Sequence, residues 1–299
     1  MRARSENFTY TQRSVISKSE SKHYKYSNSF YGHMFLEDIC ANFSIRFSDF
    51  AKPRNFFTTS PNDSNLGTYF ESSDHEFSNV LSRSMYNLLL NGVSYVEIVL
   101  GFDDEELRNI SFVPLNITKH TKKKGEIKFF ATGAYNEKPV DWVISNDFLI
   151  KLDLNDLGMR RNHFRKILKG LSDKGLPDFD WIAKSGNSLD NYINRQTLHS
   201  MKLVGDTYWD LRKSDNEYTN DVHLLYRRVM SDLFKFKFLE YMLARYNKTL
   251  KTLGAKYGFE GEIAHTVDIS GHKAKLTQLL SGEISCDDMC GYLFRHNAQ

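Results

Sequence analysis

Between residues 220 and 253 the chain reads NDVHLLYRRVMSDLFKFKFLEYMLARYNKTLKTL, and Val222, Leu225, Val229, Leu233, Phe236, Leu243, Tyr246 and Leu250 recur at three- and four-residue steps. That period predicts one long amphipathic helix with a buried stripe. Projected at about 100° per residue, Arg227, Lys237, Arg245 and Lys248 gather on the opposite side as a basic ridge. Such a helix, in a chain with 5 prolines among 299 residues and 14% aromatics, points to long elements and aromatic packing rather than a Pro-punctuated linker protein.

A second helix is signalled between Ser73, whose capping box closes on Glu76, and the stop at Asn91-Gly92, with Phe77, Val80, Leu81, Ser84, Leu88 and Leu89 on one face. It runs into VSYVEIVL (residues 93–100), whose β-branched and aromatic content predicts a strand, and then into the acidic turn GFDDEE. Strand-like runs follow around ISFVPLNI, EIKFFATGA and DFLIKLDL, divided by KKKGE and YNEKP, which describes a small antiparallel β unit. From Leu157 the pattern turns helical: a basic segment MRRNHFRKILKGLSDKG, a helix over residues 189–213, then the long helix. The chain closes on a strand, GEIAHTVDI, and a helical hairpin in which Leu276, Leu279 and Leu280 lie before a stop at Gly282 and Ser285 with Asp288 caps the last helix. The fold class is therefore α+β: a helical core, a small antiparallel β unit and a C-terminal helical hairpin. Four regions result: residues 1–30 a flexible arm, 31–156 an α+β region, 157–254 a helical region, and 255–299 the strand and hairpin.

Composition bounds the function. With 40% apolar and 26% charged residues, no apolar run of about 18 residues and a polar stretch after Met1-Arg2-Ala3-Arg4 where a leader needs apolar residues, the expectation is a non-membrane protein of a cytosol. Cys40, Cys286 and Cys290 are an odd set that suits free thiols. Lys+Arg 40 against Asp+Glu 37 leaves a net charge of +3, so any basic surface is local. Lys22, Tyr24, Lys25 and Tyr26 in the arm, and the tip at Lys122, Lys123 and Lys124, can meet phosphates, and equally read as a solvated tail and a solvated turn.

The residues show no phosphate-binding loop, no GxGxxG, no GxSxG and no CxxC or HExxH. Cys286, Cys290 and His296 lie at helical spacing without a fourth metal ligand, and His265 and His272 flank a turn; no metal and no cofactor is assigned. Cys40 in LEDICANF sits among apolar neighbours, where a thiol is inert packing. Asp232 and Glu240 border the apolar stripe; they suit either ion pairing or general acid duty in a hydrolase.

The succession of these elements resembles tailed-bacteriophage portal (head-tail connector) proteins over roughly residues 80–295. SRSMYNLLLNGVSYVEIVLGFDDEELRNISFVPLNITKHTKKKGEIKFF is similar to the portal wing, where a helix ends in a glycine before an aromatic-acidic strand, here Asn91-Gly92 to Glu97. NEYTNDVHLLYRRVMSDLFKFKFLEYMLARYNKTL looks like the long helix after the tunnel loop, FEGEIAHTVD like the strand that follows it, and HKAKLTQLLSGEISCDDMCGYL like the closing hairpin. The chain departs from that pattern in being short and in lacking a clear clip domain between Leu157 and Leu189 and a long crown.

The resemblance implies a homo-oligomeric ring, commonly a dodecamer, at a capsid vertex of a virion assembled in the host cytoplasm. It would be a non-enzymatic channel for double-stranded DNA, with terminase, capsid and head-tail adaptor proteins as partners. By position, Arg212, Lys213, Ser214, Asp215, Asn216, Glu217 and Tyr218 would form the tunnel-loop region with Arg227 and Arg228 near the lumen, and Lys237, Arg245 and Lys248 would serve DNA or a subunit interface. A channel for sliding DNA needs weak, sequence-independent phosphate attraction, because base-edge contacts would arrest it. The alternatives are a monomeric or small-oligomer nucleic-acid-binding adaptor or defence-associated protein, and a hydrolase built on Asp232 and Glu240.

Overall fold

In a computed structural model, the described residues are 30–40, 56–61, 64–69, 74–115, 119–123, 126–131, 140–172, 204–209, 221–266 and 268–298. Seven helices and eight strands are formed there, giving a mixed α+β architecture. Helix α1 spans Phe30–Cys40, strand β1 Phe57–Ser60, the one-turn α2 Leu66–Tyr69, and α3 Asp74–Asn91. Strands β2 (Val93–Asp103) and β3 (Glu106–Leu115) make a long hairpin, and β4 (Lys119–Lys123), β5 (Glu126–Ala131), β6 (Val140–Ser145) and β7 (Leu149–Asp153) follow. Helix α4 is His163–Ser172, α5 is Asp221–Tyr257, β8 is Glu262–His265, and α6 (Ile269–Ser281) and α7 (Cys286–Ala298) close the chain.

The strands form three antiparallel sheets, ordered β3-β2-β7, β4-β5-β6 and β1-β8. The β2–β3 turn is held by Asp104 and Glu105, both at positive φ (47° and 69°), the backbone that twists in the same sense as the two strands. Strand β2 is buried along most of its length because both faces are covered. Val96, Ile98 and Leu100 join the main core, while Tyr95 meets Leu115, Ile144 and Leu149 on the other side. Glu97 is buried on this central strand.

Gly92 sets the angle between α3 and β2. It sits at φ +74°, its N–H donates to Leu88 O (2.8 Å), and its carbonyl accepts from Leu154 N–H (3.0 Å). A Cβ at this position would collide with the backbone of Arg161. The expected helix, glycine and strand are thus one junction, locked by the chain after β7.

The main core is aromatic at its centre. Phe57, Phe77, Phe112 and Tyr246 come from β1, α3, β3 and α5, with ring centroids 4.9–5.8 Å apart in tilted and edge-on pairs. Tyr246 is fully buried, so its hydroxyl needs a partner: Ser84 Oγ–H donates to Val80 O (2.7 Å), which leaves Ser84 Oγ to accept from Tyr246 (3.3 Å).

The sequence-based reading differs from the structure in three places. Helix α1 was not anticipated. Nor was β1: Phe57–Ser60 pairs with β8 roughly 200 residues away, and four residues of FTTS carry no readable period. The helix expected over residues 189–213 does not run through its described part, because residues 205–207 form a single 3-10 turn and Tyr208 is left-handed (φ 53°). There Thr207 Oγ1 donates to Val204 O (2.7 Å) and accepts from Trp209 N–H (3.3 Å), local bonds that compete with helix continuation. Residues 1–29 of the N-terminal arm, the cap at Ser73, the tip at Lys124-Gly125 and the YNEKP turn lie outside the described residues, while Phe30, the arm's last residue, opens α1.

Candidate nucleic-acid interface

Helix α5 has 37 residues and rises about 55 Å at 1.5 Å per residue. Its apolar stripe is not one surface. In the first turns Leu225 and Val229 bury against Leu276 and Leu279 of α6 and Met289 and Leu293 of α7. Beyond them Phe236, Phe238, Leu239, Met242, Leu243, Tyr246, Leu250 and Leu253 bury in the main core. At about 100° per residue the buried face turns by roughly a fifth of a revolution between the two halves. The outward face of the second half carries Lys237, Glu240, Ala244, Lys248 and Lys251, all exposed.

The basic residues of α5 assigned to DNA or a subunit interface therefore divide into two kinds. Arg228, Lys237 and Lys248 are exposed. Arg227 and Arg245 stand at the ridge's edge and are spent on backbone. Arg227 Nη2 donates to Trp209 O (2.8 Å), and its Nε is enclosed with no partner among the described residues. Arg245 Nε donates to Lys151 O (3.2 Å), and its Nη2 lies 3.4 Å from Asp156. The residues assigned to a tunnel loop, Arg212, Lys213, Ser214, Asp215, Asn216, Glu217 and Tyr218, lie outside the described residues.

A charged cluster that the sequence did not announce fixes this face to the β unit. Asp153, 3% exposed at the end of β7, accepts from Lys151 Nζ (2.6 Å), Asn155 N–H (3.2 Å), Arg161 Nε (3.0 Å) and Arg161 Nη2. Burial alone would raise its pKa, but the Arg161 and Lys151 cations and the Asn155 N–H outweigh it and hold the carboxyl well below the usual carboxylate range. Asp153 N–H donates to Tyr241 Oη (2.7 Å), and the single Tyr241 hydroxyl hydrogen is within reach of Asp156 Oδ2 (2.9 Å) and Asp153 O (3.1 Å). Burial pushes the Tyr241 phenol up to about 12. Only the run DFLIKLDL marked these positions, and it announced a strand, not an ionic cluster.

Beside this cluster Asn146, Asp147, Leu149, Ile150, Lys151, Arg245, Lys248, Thr249 and Thr252 line a shallow depression of about 280 Å³. Four of its side-chain donors are engaged: Lys151 with Asp153, Arg245 as above, Thr249 with Arg245 O (3.2 Å) and Thr252 with Lys248 O (3.2 Å). The exposed Lys248 ammonium at its lining remains for an outside anion.

The other candidate residues are dispersed. Asp232 is half-buried and Glu240 exposed, two turns apart on α5. Cys40 is buried, and that burial pushes its thiol far above the usual range, with buried Lys235 pulling the other way, which is the behaviour of packing rather than of a nucleophile. Cys286 and Cys290 are half-buried free thiols on α7. His265 stacks between Phe56 and Phe236 (6.4 and 6.3 Å, both at 23°), and His272 Nδ1–H donates to Asp268 O (2.9 Å). Among the described residues no group of three or more His, Cys, Asp or Glu side chains is placed to hold a metal ion, and no helix is long and apolar enough to cross a membrane.

No protein-family model matches the chain, and no curated protein matches it in sequence.

Proposed function

We propose that the chain is a portal-like protein: copies close into a ring at a capsid vertex and form a passive, non-enzymatic conduit for double-stranded DNA that docks terminase and head-tail adaptors. The observation that carries this reading is the order of elements along one long helix. A wing-like helix, glycine and β hairpin pack against the second half of α5, a terminal hairpin packs against its first half, and the lysine-bearing outward face of the second half stays open. A face of Lys237, Lys248 and Lys251 around one glutamate attracts phosphates without reading bases, and repetition round a ring multiplies that modest charge.

Two of the assigned arginines take a different part in this reading. Arg227 and Arg245 hold the backbone of Trp209 and Lys151, and so position α5, while Arg228, Lys237 and Lys248 meet the polyanion or the neighbouring subunit.

The test is negative-stain microscopy of the purified chain at micromolar concentration, paired with double-stranded DNA binding across a salt series. Rings with a central opening and sequence-independent, salt-sensitive binding are expected. Salt-sensitive binding by particles that never form rings would favour the small nucleic-acid-binding adaptor instead.

A further inference from the structure

We propose that the depression between β7 and α5 is a phosphate seat, which takes one tetrahedral phosphate group, free or borne on a nucleic-acid backbone. Its lining carries three cations, Lys151, Arg245 and Lys248, against one carboxylate, Asp147. Leu149 and Ile150, both buried, supply an apolar part of the lining, beside which an ion is screened less than on an open surface.

The observation that carries the inference is a backbone donor. Leu154 N–H donates to Gly92 O (3.0 Å) on the side of β2, whereas Lys151 O accepts from Arg245 Nε (3.2 Å) and Asp153 N–H donates to Tyr241 Oη (2.7 Å). Lys151 and Asp153, opposite Tyr95 and Val93 in the register, thus turn their backbone away from β2 and towards α5. In an antiparallel strand the N–H and C=O of one residue point the same way. Lys151 N–H therefore faces α5 beside the Arg245 guanidinium, with no acceptor among the described residues.

The cations around it are only partly spent. Arg245 gives Nε to Lys151 O and sets Nη2 3.4 Å from Asp156, which leaves Nη1 for a ligand. Lys248, one turn further along α5, is exposed and pairs with no carboxylate among the described residues. Two of the nearby acids are already matched: Asp153 is held by Lys151 and Arg161, and Asp156 accepts from Tyr241 (2.9 Å) besides facing Arg245. A backbone N–H, a guanidinium and an ammonium on one depression of about 280 Å³ are the donor set that a phosphate oxyanion takes, with Asp147 as the one opposing charge. The seat needs no ring and no neighbouring subunit, so it stands or falls separately from the portal reading.

The experiment is a titration of the full chain with inorganic phosphate at constant ionic strength, read at the Lys151 amide by NMR, with chloride as the control. A saturable downfield shift with a Kd on the order of 1 mM is expected. Lys248→Gln is expected to weaken binding about five-fold and Asp147→Asn to tighten it about two-fold, while Lys273→Gln, at an exposed position on α6, leaves it unchanged. A short double-stranded DNA that moves the same amide and is displaced by phosphate identifies a backbone phosphate as the occupant; a response to phosphate alone identifies a free one. No saturable shift by about 50 mM phosphate, the same shift with chloride, or equal weakening by Lys248→Gln and Lys273→Gln would overturn the proposal.

Discussion

Arg161 grips the buried Asp153 carboxylate through both its Nε and its Nη2, and the same residue's backbone closes over Gly92. One arginine thereby ties the end of β7 to the turn that aims α3 into β2. Asp153→Asn keeps the shape and removes the charge, leaving two cations facing a neutral amide. Since both cations are partly exposed, the expected loss is about 2 kcal/mol rather than the larger cost of a fully enclosed pair. Urea unfolding checks this. Because the folded pKa lies below the unfolded one, the stability is present above about pH 4 and is lost as pH falls through the folded value; the Asn variant should lose that part of its acid sensitivity.

Gly92→Ala should cost about 2 kcal/mol or more, since the new methyl group adds a collision with the Arg161 backbone to the penalty of left-handed φ. A midpoint shift in urea with unchanged slope is the expected result. Gly158→Ala is the control: φ is +75° there too, but nothing stands within 4 Å of the added carbon, so a smaller loss, about 1 kcal/mol, is expected.

Asn247 acts as a strand edge for β8. Its Oδ1 accepts from Ile263 N–H (2.8 Å) and its Nδ2 donates to Ile263 O (2.9 Å), so one side chain satisfies both backbone groups. Asn247→Asp retains the acceptor but sets a carboxylate against the carbonyl, and should destabilise by about 2 kcal/mol. Hydrogen exchange at β1 and β8 should rise before that of β2 and β3.

His265, stacked between two aromatic rings, has its pKa lowered by burial, with Glu240 opposing in part. The unfolded chain therefore takes up the proton first, near pH 6.5, and stability falls as pH drops from there towards the folded value. His265→Phe should flatten that slope in thermal unfolding measured between pH 7 and 5, while a slope unchanged by the substitution would show that another group governs it.

Helix α3 with its Gly92 stop, and the last hairpin with Gly282 and the Ser285–Asp288 cap, were legible because each is signalled within a few residues of itself. The long helix was legible for the same reason, yet its division between two clusters was not: a stripe drifting round the helix looks continuous in one dimension. Strand β1, the Asn247 edge and the Asp153–Arg161 pair were hidden, since their partners stand from 8 to some 200 residues away and lone Asn or Asp residues usually mean turns. Of the assigned channel residues, the structure separates Arg227 and Arg245, engaged with backbone, from Arg228, Lys237 and Lys248, exposed.

Lys237→Ala and Lys248→Ala distinguish the two uses of the open face. If these lysines meet phosphates, each should reduce the salt slope of double-stranded DNA binding by about 1 and leave assembly intact. If they meet a neighbouring subunit, assembly should weaken first.

The native mass of the assembly, taken by mass photometry over a range of concentrations, bears on the portal reading most directly. A single closed species is predicted, near about 420 kDa for twelve 34.8-kDa chains. A particle of one chain's mass at every concentration would contradict it.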